Sequence, residues 1–200
     1  MWALVESDNV TQVYTRPKGL TIGEVNYPSN IFMLWTSSEL EAIGIYEVVI
    51  DNTNLKDPEY YINTNQSFNF ASGTVTASYG TATAKAINDV LFTAQDETDG
   101  LGTEDDVKTE GLKTKLIRDV KLNAANELAK TDWYVVRKSE ESTAIPSAIT
   151  THRRLVRSRQ AAMETSITNA SDTPALETLY TYTRDSDGVS SRPLAEIPIL

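Results

Sequence analysis

Cysteine is absent from this 200-residue chain, and histidine occurs once, at position 152. The first absence excludes disulfides, thiolate zinc sites and cysteine nucleophiles. It also fits a protein made in a reducing cytoplasm. The second leaves a single imidazole for any Ser-His-Asp arrangement, and no partnered serine or aspartate motif accompanies it. Positive charge is scarce: 18 Lys and Arg stand against 28 Asp and Glu, a formal net charge of −10. Such a chain repels phosphate, so neither nucleic acid nor an anionic membrane is an expected partner. No apolar run nears the roughly 18 residues of a membrane span. The segment Met1–Asp8 lacks the basic start and long apolar stretch of a signal peptide.

Chemistry-bearing motifs are equally scarce. There is no P-loop, no G-x-S-x-G and no dinucleotide fingerprint. Gly100-Leu101-Gly102 is glycine-rich but lies among acidic residues that would repel phosphate. The run from Asp51 to Asp57 carries oxygen donors without the offsets or the mid-loop glycine of a Ca²⁺ loop. No Asp/Glu pair is singled out for glycoside cleavage. The expectation is a protein with no catalytic residue, no cofactor and no metal, in short not an enzyme.

What is present is a change of periodicity along the chain. Residues 1–95 read as a small β-rich domain of antiparallel hairpins with one short helix. Trp2–Val5 and Val10–Tyr14 flank the turn signal Ser7-Asp8-Asn9. Ile31–Trp35 reads as a buried segment leading into a helix that opens on the capping-box pair Thr36 and Glu39 and stops at Gly44. Ile45–Ile50 reads as a well-buried strand. Phe68 and Phe70, then Val75, Ala77 and Tyr79, alternate on either side of Ala71-Ser72-Gly73, the clearest hairpin signal in the chain. A small sandwich or barrel and a mixed α+β sheet both fit this half. Thr83–Gln95 is ambiguous between helix and sheet.

Residues 96–111 hold seven acidic side chains and three glycines, and read as a flexible, solvated linker. From Leu112 the period turns helical: Leu112, Leu116, Val120, Ala124 and Leu128 recur every four residues. Thr131-Asp132 ends that helix, Trp133–Val136 reads as extended, and residues 137–144 as a polar loop. A second helix starts near Pro146, with Ile149, His152, Val156, Met163 and Ile167 inward and Arg153, Arg154, Arg157 and Arg159 on its flanks. Residues 112–170 should therefore pack as an antiparallel helical hairpin. Residues 171–200 form a C-terminal arm with a brief helix around Leu176 and Leu179, a turn at Asp185–Gly188 and an extended apolar end. That end either docks on its own body or reaches a neighbouring subunit. The fold class is α+β.

The segment Leu128-Ala-Lys-Thr131-Asp132-Trp133-Tyr-Val-Val-Arg137, with Ile145-Pro146-Ser-Ala-Ile149 and the arginines from Arg153 to Arg157, resembles a family of small proteins encoded near tail-fibre genes of tailed bacteriophages. These are described as tail-fibre-assembly or tail-assembly-chaperone-like proteins. The resemblance covers residues 112–168, and His152 departs from it where an aromatic tyrosine is usual. Asn30-Ile-Phe-Met-Leu-Trp35, Glu39–Val49 and Tyr60–Phe68 are similar to structural proteins of marine phages, including those of cyanobacteria. The resemblance implies a protein that works by contact with other phage tail or fibre proteins. The expected assembly is homo-oligomeric or symmetric, made in the host cytoplasm and located in the virion tail. It marks Asp132, Trp133, Arg153 and Arg157 as contact residues of the hairpin or of a partner. In the hairpin, Asp132 would bond turn amides and meet an arginine of the second helix. Trp133 would pin the two helices, or else anchor a partner. A permanent virion component, a transient assembly chaperone and a host-glycan hydrolase are the competing functions, the last favoured by no motif.

Overall fold

The computed structural model describes residues 1–200 and is an α+β protein. The chain divides into two compact units, Met1–Thr83 and Ala84–Leu200. The division falls upstream of the expected linker at 96–111.

The first unit contains β1 (Trp2–Glu6), β2 (Asn9–Tyr14), β3 (Leu20–Ile22), β4 (Val25–Tyr27), α1 (Ile31–Leu34), α2 (Ser37–Glu41), β5 (Ile45–Asp51), β6 (Tyr61–Ile62), β7 (Gln66–Ala71) and β8 (Thr74–Tyr79), with β9 (Thr83–Ala84) at the junction. Five strands form one sheet in the order β2-β1-β5-β8-β7. Its edge strands β2 and β7 approach one another, so the sheet curls toward a partial barrel. Two hairpins hold its ends. In each, both loop residues have positive φ, Ser7 and Asp8 in one, Ser72 and Gly73 in the other, as the tightest two-residue turns require. The central pair, β5 with β8, is parallel, which hairpin reasoning did not anticipate.

Adjacent residues of a strand face opposite sides, and β1 uses both. Leu4 joins Tyr14, Leu20, Ile31, Phe32, Leu40 and Ile45 in one core. Its neighbour Ala3 joins Val48, Val75 and Ala77 in another, flanked by Phe68 and Phe70. The capping box of Thr36 and Glu39 is formed, with the Thr36 amide donating to Glu39 Oε2 at 2.8 Å. Gly44 takes φ +82 as expected for the stop. The expectation of a wholly buried Ile45–Ile50 is corrected: Val49 and Ile50 are more than half exposed. β1 pairs only with Ile45–Glu47, so the second half of β5 has a strand on one side alone.

The second unit contains β10 (Val90–Leu91), α3 (Ala94–Thr98), β11 (Val107–Thr109), α4 (Leu112–Ala129), α5 (Asp132–Glu141), α6 (Ser147–Asn169), α7 (Thr173–Tyr180), β12 (Thr183–Arg184) and β13 (Ser190–Ser191). Residues 96–111 are not the structureless linker that their charge suggested. β10 pairs with β11, Thr93 and Asp96 form a capping box on α3, and Lys108 bonds Asp96 at 2.6 Å. The carboxylates here are spent on local amides and an ammonium group. Hydrogen bonds order the segment where apolar burial is lacking. The Gly111 amide, at the start of α4, donates to Asp89 at 2.6 Å.

α4 and α6 pack antiparallel: Glu127 meets His152 and Lys121 meets Glu164, so numbering runs in opposite senses. The arm folds back on its own unit. Leu194 is buried and its amide donates to the Leu179 carbonyl. The amide of Leu200 donates to Glu127 Oε1 at 2.8 Å, while Ile199 stays exposed.

Candidate contact surface on the helical hairpin

The two hairpin helices meet along a seam that mixes steps of four and three. On α6 the buried positions are Ile149, Arg153, Val156, Met163 and Ile167. On α4 they are Leu112, Leu116, Val120, Ala124 and Glu127, followed by Thr131. A strict repeat of four drifts about 40° around the helix at each step, so it cannot face one partner for long. The seam therefore leaves Leu128 half-buried and takes Glu127 instead. The same periodicity makes Arg153 a seam residue, a correction to its expected place on the flank. The step of four from Ile149 to Arg153 and of three on to Val156 was the available signal for it.

Three polar side chains close this end of the seam. The Arg153 guanidinium donates to the Leu128 carbonyl at 2.8 Å and to Thr131 Oγ1 at 2.6 Å. It also pairs with Asp132 Oδ1 at 2.8 Å. Thr131, fully buried, donates its own hydroxyl to the Leu128 carbonyl. Glu127, missed in the sequence, receives Lys130 Nζ, the amide of Leu200 and an imidazole contact from His152 at 3.1 Å. The Lys130 bond is the main cause holding its carboxyl below the usual range. These groups tie α4, α6 and the chain end together. Their polar atoms are largely engaged with one another and with the backbone.

After Thr131 the chain does not extend. Residues expected as an extended piece and a polar loop form α5 instead, with Asp132 in its first turn and Ser142 closing it at φ +58. The run Trp133-Tyr134-Val135-Val136 has no period-two alternation with polar residues, and a first-turn aspartate favours a helix start. No residue of α5 is buried. Trp133 is 51% exposed, so it does not pin the hairpin. Its ring lies 3.7 Å from that of Tyr134 and 4.7 Å from the Arg137 guanidinium. With Val136, also exposed, these make an aromatic and cationic outer face.

Val135 lies about 200° around the helix from Trp133, on the side of Asp132. There it lines a groove of about 310 Å³ with Ile145, Thr150, Arg153, Arg154 and Arg157. Of the four residues marked from the sequence, Asp132 and Arg153 are thus brought together as a pair. Arg157 lies in the groove, and Trp133 stands apart on the outer face. No helix is long and apolar enough to cross a membrane. Comparison of the chain with protein-family models, curated proteins and solved structures found no match.

Proposed function

We propose that this chain is a bacteriophage virion protein of the tail, baseplate or fibre-attachment region, acting through contacts with other tail or fibre proteins. The observation that carries the reading is α5, a helix without one buried residue that displays Trp133, Val136 and Arg137 together. Half-exposed tryptophan beside arginine is the composition of interface hot spots. The phage context comes from the resemblance of residues 112–168, and the same resemblance favours an assembly chaperone as the second reading.

Mass spectrometry of purified particles separates the two. A virion component is recovered at a fixed ratio to other tail proteins, and Trp133→Ala lowers that ratio. A chaperone is abundant in infected cells and missing from finished particles. Recovery in neither setting overturns both readings.

A further inference from the structure

The chain is acidic overall, yet Arg153, Arg154, Arg157 and Arg159 crowd into seven consecutive residues of α6 without one carboxylate among them. Arg153 is engaged with Asp132. Arg154 and Arg157 are exposed, form no ion pair within the chain, and rim the groove floored by Val135 and Ile145. The groove thus offers apolar surface between two exposed guanidinium groups, the pattern that accepts an apolar side chain flanked by acids.

The same unit carries such a segment. Between α3 and β11 the chain turns at Gly100, φ +73, and lifts Leu101 to 61% exposure. Asp99, Glu104, Asp105 and Asp106 lie within five residues of it in the chain, all exposed. The turn is held at its base, with the amide of Leu101 donating to the Asp96 carbonyl and the amide of Asp105 to that of Phe92. A turn already fixed in shape loses little freedom on docking.

We propose that the Val135–Ile145–Arg154–Arg157 groove of one copy receives the acidic Leu101 turn of a second copy. Leu101 covers the apolar floor, and Glu104 and Asp106 meet Arg154 and Arg157. Because groove and turn are different surfaces, the contact is heterologous and closes as a ring or continues as an array. The contact does not depend on the tail assignment, which stands or falls on particle composition.

The test is sedimentation of the full chain over a concentration series. Wild type should grow beyond its 22.1 kDa monomer mass in dilute salt. It should return to that mass near 1 M salt, where the screening length falls to about 3 Å. The variant R154E/R157E and the variant E104K/D106K should each stay monomeric with unchanged helical circular dichroism, and so should L101S. An equal mixture of the two charge-reversed variants should associate again, because each supplies the reversed partner of the other. Wild type that is monomeric throughout overturns the proposal. So do variants that assemble like wild type, or a mixture that fails to associate.

Discussion

The Arg153 guanidinium on α6 reaches Asp132 on α5 at 2.8 Å while also holding the Leu128 carbonyl and the Thr131 hydroxyl. One buried cation thereby joins three helices at the place where α4 ends. The two partners are unequally placed: Arg153 is buried, and the Asp132 side chain is largely exposed. Replacing Arg153 by Ala strands a carbonyl and a hydroxyl and should cost about 2–4 kcal/mol. Replacing Asp132 by Ala removes one solvent-screened contact and should cost about 1 kcal/mol or less. Urea unfolding of both variants checks the order. Equal losses would mean that Arg153 acts only through Asp132.

Trp133 gives a separation of stability from binding. A core tryptophan changed to Ala would cost about 3–5 kcal/mol. This one is half-exposed and leans on Tyr134 and Arg137 of its own helix, so the loss should stay under about 1 kcal/mol. An unchanged denaturation midpoint with reduced recovery in particles is the expected result. A large drop in the midpoint would return Trp133 to the core.

Acid should loosen the chain end first. The carboxyl of Glu127 is depressed, chiefly by Lys130 and also by the bond from the Leu200 amide. A depressed carboxylate stabilises the fold above its unfolded value and loses that contribution as pH falls through the folded one. The attachment of residues 194–200 should therefore be intact at neutral pH and weaken below the ordinary carboxylate range. Glu127→Gln should expose the end already at neutral pH. Carboxypeptidase trimming across a pH series reads this directly, and trimming that is independent of both pH and the substitution would show that Glu127 does not hold the end. Asp96, held down to about 2 by Lys108 and Thr93, should keep α3 capped to more acidic pH.

Two glycines are fixed by contact, and Gly44 by its conformation as well. A Cβ on Gly44 would come within 2.8 Å of the Val5 carbonyl oxygen at φ +82. One on Gly111 would meet the Asn88 carbonyl carbon at 2.2 Å. Gly44→Ala should cost at least about 1–2 kcal/mol from the left-handed backbone alone. Gly111→Ala should cost about 1–3 kcal/mol from displaced backbone. Gly23, whose added Cβ meets nothing, serves as the control for Gly44 in thermal melts.

The α+β class, both β-hairpins, the Thr36–Glu39 cap, the Gly44 stop and the two long helices were legible from residues 1–200 because each is set within a few neighbours. Turn chemistry, capping and amphipathic period are local, and they act before any distant segment arrives. The pairing of Asp132 with an arginine of the second helix was also legible, since a short loop brings opposite ends of a hairpin together. The parallel join of β5 and β8, the burial of Glu127 and Arg153 and the ordering of 96–111 were decided by tertiary structure. A buried charge is tolerated only where partners from other elements converge on it. For Glu127 these are His152 and the amide of Leu200, and for Arg153 they are Leu128, Thr131 and Asp132. Residues 21 to 73 positions apart meet there, and no window of sequence short enough to carry a pattern contains both sides of those contacts.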